Sequence, residues 1–180
     1  MRKKILLCVS AFYFLTACQT QKTEKYPPAI AHVIVIGVDG MSPDGIRNAT
    51  TPVMDSTIAG GAVKWKVRTV LTTSSSQNWA SMIMGAGPEQ HGVINNDWER
   101  DDHTLPPIVA GEEGIFPSIF GIIRQQKPDA EIGAVYHWRG FGRLFEKKAV
   151  NYDKNFSTED STAADFINYI KSKQPAFGFL

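Results

Sequence analysis

The stretch VIVIGVDGMSPDG, Val33 to Gly45, decides how the rest of the chain is read. Val33 to Val38 is apolar on both faces of an extended chain, and five of its six residues are β-branched. That pattern reads as a buried strand of a parallel sheet. The strand then ends on an acid between glycines, Asp39-Gly40. In open α/β sheets ligands gather at the carboxyl ends of strands, so Asp39 stands where chemistry is placed. A carboxylate there could bind a cation or simply close a turn.

Working outward, strand and helix signals alternate. Thr51-Pro52 pairs an N-cap residue with Pro at the first helical position, and Val53, Met54 and Ile58 follow at helical spacing up to Gly60-Gly61. Val63 to Leu71 alternates loosely and reads as a second strand. Trp79 to Met84 reads as a helix ending at Gly85. The segment from Glu89 to about Gly114 is too long for a simple connection, and loops of that length commonly carry function. Phe116, Ile119, Phe120 and Ile123 mark another helix, and Ile132 to Trp138 a third strand. Ser157 to Lys173 reads as an amphipathic helix with Ala163, Phe166, Ile167 and Ile170 turned inward. Ala176 to Leu180 begins a fourth strand. This alternation specifies an α/β layered fold with a mostly parallel sheet. The chain stops inside an apolar strand, so it reads as part of a longer protein.

Composition narrows the classes of function. Of 180 residues, 43% are hydrophobic and 21% charged, enough for one domain with a substantial core. Arg2, Lys3 and Lys4 supply three of the 19 basic residues, which leaves 16 basic against 18 acidic residues in the rest. A near-neutral domain has no electrostatic footprint for a nucleic acid polymer. Residues 1–18 form a signal peptide: a basic start, an apolar run from Ile5 to Leu15, then Leu15-Thr16-Ala17-Cys18. This ending resembles a bacterial lipobox, in which Cys18 becomes the lipidated first mature residue. An ordinary secretory signal beside a cysteine is the alternative. Residues 19–31, with Pro27-Pro28, read as a tether, and 32–180 as the domain proper. The expected location is the bacterial cell envelope, with the protein lipid-anchored to the membrane. The two cysteines are Cys8 and Cys18, so any metal in the domain must be held by oxygen and histidine ligands.

The chemistry-bearing cluster is Thr72-Thr73-Ser74-Ser75-Ser76, placed where the second strand ends and a helix begins. A hydroxyl at a helix N-terminus sits in a positive field that favours an alkoxide or a bound anion. With Asp39 nearby, this suits phosphate handling, although hydroxyls before helices also serve simply as caps.

The stretch TTSSSQNWASMIMGAGPEQHGVINNDW, Thr72 to Trp98, resembles the type I phosphodiesterase/nucleotide pyrophosphatase branch of the alkaline phosphatase superfamily. The spacing of Gly85, Pro88, His91 and Gly92, followed by Asn95-Asn96, carries the likeness, together with the Val38-Asp39-Gly40 strand end. The resemblance implies a three-layer α/β/α sandwich, alkaline-phosphatase-like and incomplete at its C-terminus. It implies a metal-dependent phosphoester hydrolase acting on a small-molecule phosphoester through a phospho-enzyme intermediate. It makes Asp39 a metal ligand, Ser75 the nucleophile and a second metal ligand, and Asn96 the holder of a non-bridging phosphate oxygen. It implies two divalent metal ions, zinc in the family. Three adjacent serines leave the register open, with Ser74 and Ser76 as alternatives. Thr72 and Gln77 stand where the family often has proline. The family's remaining Asp and His ligands do not occur in these residues, so weak metal binding and little catalysis are expected of the chain itself. The rival readings are a non-catalytic lipid-anchored remnant or binding module and, lower, a sulfatase-like hydrolase, for which the [CS]-x-P-x-R motif is missing around Ser74 to Asn78.

Other polar and aromatic residues read as structural. His91 belongs to a turn, His137 is a partly buried polar residue, and His32 and His103 are exposed. Trp79 reads as core, Trp98 as core or pocket lining, and Arg139 to Arg143 as a solvated loop.

Overall fold

A computed structural model describes residues 31–180. The signal peptide, Cys18 and the tether up to residue 30 lie outside the described residues. Four strands form one sheet: β1 (Val33–Val35), β2 (Ile132–Tyr136), β3 (Tyr152–Asn155) and β4 (Phe177–Phe179). Their spatial order is β1-β4-β2-β3, and every pairing is parallel. Six α-helices connect them: α1 (Pro43–Asn48), α2 (Pro52–Gly60), α3 (Ser75–Met84), α4 (Pro88–His91), α5 (Ile119–Gln126) and α6 (Glu159–Lys173).

Alternation along β2 and β4 builds the layers, because successive side chains leave a strand on opposite faces. On one face Ile132, Ala134, Phe177 and Phe179 join Ala80 and Ile83 of α3 and Phe120 of α5 in the main core. On the other, Val135 packs with Phe166 and Tyr169 of α6. Glycine fills the two remaining α6-facing positions. A Cβ at Gly133 would lie 2.2 Å from the Tyr169 ring, and one at Gly178 would lie 3.1 Å from Phe166. The run FGF in β4 and the glycine in β2 thus let α6 approach closely. Helices cover both faces, which is the expected α/β/α arrangement around a parallel sheet.

Four sequence expectations need correction. The strand beginning at Val33 is parallel, but it is not buried: Val33, Ile34, Ile36 and Val38 are exposed. β1 pairs on one side with β4, and α1 and α2 bury no residue against it. Val63 to Leu71 is not a strand. It finds no ladder, Val63, Val67 and Leu71 are exposed, and the Val70 amide instead donates to Asn78 Oδ1 at 3.1 Å. On α6, Ile167 is exposed, and Tyr169 takes the inward place beside Phe166. His103 is half-buried rather than exposed, stacked on the buried Trp98 with centroids 5.8 Å apart. β3 escaped notice because its Tyr-Asp-Lys-Asn sequence is polar, as suits an edge strand. Among the described residues no helix is long and apolar enough to cross a membrane.

Candidate active site

The site forms at the N-terminus of α3. Ser74 takes the N-cap with extended backbone, and Gly85 closes the helix in the left-handed region at φ 65°. Three residues on, Pro88 opens α4, and Gly92 closes it at φ 78°. A Cβ on Gly92 would meet the Leu105 carbonyl oxygen at 2.4 Å. The Gly-Pro-His-Gly spacing is therefore a return device. It carries the chain from the end of α3 back to its start, where Asn96 arrives.

His91 locks this return. It is buried; the Val93 amide donates to Nδ1 at 3.0 Å, so Nε2–H donates to Ser81 Oγ at 2.9 Å. Both ring nitrogens are used in the neutral tautomer, and His91 is structural, as its place in the turn suggested. Burial pushes its pKa down to about 4, with Glu89 partly opposing. Folding thus favours neutral imidazole. The stability due to His91 is complete above the ordinary value of 6.5 and is lost as pH falls toward about 4. Thermal melts between pH 7.5 and 4 are expected to show a steeper loss for the wild type than for His91→Gln; superimposable slopes would refute this.

At the head of α3, Ser75 Oγ donates to Asp39 Oδ2 at 2.7 Å. Its neighbours are occupied differently. Ser74 Oγ donates to Gln77 Oε1, and Ser76 is fully buried. The Ser76 amide donates to Asn96 Oδ1 at 2.9 Å. That bond fixes which way the Asn96 amide points, and its Nδ2 has no hydrogen-bond partner among the described residues. Asp39, Ser75 and Asn96, far apart in sequence, are brought together, with Asp39 exposed and Ser75 half-buried.

Sequence reading missed what holds them. Trp79 packs half-buried against the core, as its place on an apolar helix suggested, and in addition its Nε1–H donates to the same Asp39 Oδ2 at 3.3 Å. Its ring meets Phe141 and Phe179 edge-on. Gly37 makes this possible, since a Cβ there would lie 2.5 Å from the indole. Gly40, at φ 68°, turns the chain directly after Asp39. Gln77, buried at a position where proline was the family expectation, donates to the Thr72 and Ile94 carbonyls at 2.7 and 2.9 Å. It ties the serine loop to the segment carrying Asn96 by hydrogen bonds instead of ring rigidity.

Arg139 to Arg143 is not a solvated loop but a 3₁₀ turn with Gly140, Phe141 and Gly142 buried. Arg143 donates to the Asn96 carbonyl at 2.9 Å and pairs with Glu99 at 2.5 Å. Two cavities flank the site. One, of about 410 Å³, is lined by Asp39, Trp79, Tyr136, Phe141 and Phe179 among others. The other, of about 460 Å³, is lined by Asn96, Glu99, Trp138, Arg139, Gly140 and Arg143. Trp138 borders both. His137 stands at the rim of the first and is exposed rather than partly buried as expected, because it follows the last residue of β2; it lies 3.3 Å from Glu159. Trp98 lines neither; it belongs to the core.

Asp39 and Ser75 offer two oxygen donors. Among the described residues, no three His, Cys, Asp or Glu side chains converge as a metal site. Zinc takes three or four protein ligands, so these donors do not complete such a shell. The expected pair of zinc ions rests on the resemblance alone.

Residues 33–113 match the family model described as type I phosphodiesterase/nucleotide pyrophosphatase. The chain is 26% identical over 93 residues to bis(5'-adenosyl)-triphosphatase ENPP4 of Bos taurus, covering 52% of this chain and 20% of that protein. It is similar in structure to an inactive variant of murine ectonucleotide pyrophosphatase/phosphodiesterase 5 in complex with AMP, with a TM-score of 0.63 and 23% identity. The human form gives the same TM-score at 21% identity. Each likeness covers 83% of this chain and 42% of the other, so the chain spans less than half the length of the proteins it matches. These structural likenesses establish the fold.

Proposed function

We propose, for a chain whose residues 33–113 match the type I phosphodiesterase/nucleotide pyrophosphatase family model, that it handles small phosphoesters with Ser75 as nucleophile. One observation carries this reading: Ser75 Oγ, at the head of α3, is held 2.7 Å from Asp39 while the adjoining Ser76 amide holds Asn96. As Oγ attacks phosphorus, its proton passes toward the Asp39 carboxylate, the Oγ–P bond forms, and the bond from phosphorus to the leaving oxygen breaks. Asn96 Nδ2 donates to a non-bridging oxygen whose charge grows in the transition state. The positive end of α3 adds to that stabilisation. Water then attacks phosphorus and releases Ser75.

A divalent cation at Asp39 and Ser75 belongs to the reading on family grounds and would supply Lewis-acid stabilisation of the phosphoryl oxygens. The lipid anchor at Cys18 and the bacterial envelope location rest on the sequence of residues 1–18. The incomplete donor set favours one rival, a binding module without turnover. An assay of bis(4-nitrophenyl) phosphate against 4-nitrophenyl sulfate separates the readings. Release of 4-nitrophenol from the phosphodiester and not from the sulfate is expected. Preference for the sulfate would contradict the proposal, and nucleotide binding without turnover would favour the module.

A further inference from the structure

The cavity on the Asn96 side of the site is cationic in an uneven way. Two of its lining groups are arginines, and they differ in what they are free to do. The Arg143 guanidinium is held in place through all three nitrogens: it bonds Glu99 at 2.5 Å, the Asn96 carbonyl at 2.9 Å and the Gly140 carbonyl at 3.3 Å. Glu99, the acid in the lining, is thereby neutralised. Arg139 is exposed and has neither an ion-pair nor a hydrogen-bond partner among the described residues. Its position is nevertheless built. It starts the 3₁₀ turn whose Gly140, Phe141 and Gly142 are buried behind it. The neighbouring Trp138 ring lies directly on Gly140, where a Cβ would come within 2.2 Å of it. Two unpartnered donors thus line one cavity, Asn96 Nδ2 and the Arg139 guanidinium, with a net charge of one positive unit from its arginines and Glu99.

Resting on the phosphoester reading of the site, we propose that Arg139 is a specificity-determining residue: it selects ligands that carry a second anionic group beyond the phosphoryl group held at Asn96. A guanidinium presents a rigid fork of donors matched to phosphate oxygens, and its bonds to them are charge-assisted. A ligand with one phosphate leaves that fork facing water; one with a second phosphate fills it.

The test compares AMP with ADP, which share a nucleoside and differ by one phosphate, by calorimetric titration of the full chain. ADP is expected to bind the wild type about tenfold more tightly than AMP. Arg139→Ala brings ADP to within about twofold of AMP and leaves AMP binding unchanged, while Arg139→Lys keeps part of the preference. Lys173→Ala, which removes an exposed cation far along α6, keeps the full ratio and so excludes a general charge effect. An ADP to AMP ratio that is the same in the wild type and Arg139→Ala overturns this inference while leaving the phosphoester reading in place. Failure of the wild type to bind either nucleotide overturns both.

Discussion

Ser75→Ala is expected to abolish phosphodiester turnover, lowering kcat by at least about a thousandfold, whereas Ser74→Ala and Ser76→Ala retain activity within about tenfold. The asymmetry follows from what each hydroxyl touches. Ser75 Oγ is the one held against Asp39, at 2.7 Å. Ser74 Oγ is turned to Gln77, and the Ser76 side chain is buried with no partner in the described residues. Removing the attacking oxygen leaves Asn96 and the helix terminus to bind substrate, so KM changes much less than kcat. Stability changes little, because Ser75 is half-buried and its backbone, not its side chain, belongs to α3. A Ser76→Ala variant that lost as much as Ser75→Ala would move the nucleophile one residue along and rebuild the site.

Phe120→Ala is expected to cost about 3–5 kcal/mol, a large share of the total stability of a domain this size. Phe120 is fully buried, and its ring lies 4.6 Å from Phe145, 5.3 Å from Phe177 and 6.1 Å from Phe179, centroid to centroid. It joins α5 to β4 and to the segment that follows the Arg139–Arg143 turn. Its helix is itself anchored by polar groups: the Ser118 amide and hydroxyl both donate to the buried Glu146 carboxylate. The surroundings therefore have little freedom to collapse into the space a missing ring leaves. Phe120→Leu is expected to cost less than half as much. Urea denaturation with an unchanged slope measures both, and a loss below about 1 kcal/mol for the alanine variant would show that the core is not organised around this ring.

How far the sequence carried can be judged from particular residues. The alternation of strands and helices was legible because periodicity is local, and glycines such as Gly85 and Gly92 punctuate it. Asp39, Ser75 and Asn96 were singled out by the family resemblance, and the long motif that carries it returns the chain to the start of α3, where the three meet. Burial was not legible in the same way. Val33 to Val38 is apolar, but whether anything covers it is decided by distant segments, and among the described residues nothing covers its outer side. Val63 to Leu71 has strand-like alternation without an available edge, since a ladder needs a partner that periodicity alone does not reveal. Trp79 and Arg139 to Arg143 were read from their local sequence alone, as core on an apolar helix and as solvated loop. Their roles depend on contacts across 40 or more positions, such as Trp79 to Asp39 and Arg143 to Asn96. Gly37 holds the clearest signal that could have been used: a glycine interrupting a β-branched strand marks close approach of another group, here the Trp79 indole.

The most direct test of the central claim is to trap the covalent intermediate. Incubation with bis(4-nitrophenyl) phosphate, rapid acid quenching and mass spectrometry of proteolytic fragments should find a nitrophenyl-phosphoryl ester on the peptide containing Ser75, localised to that residue and missing from Ser75→Ala. Turnover that leaves Ser75 unmodified at every quench time, or an ester on Ser74 or Ser76 instead, would contradict the account.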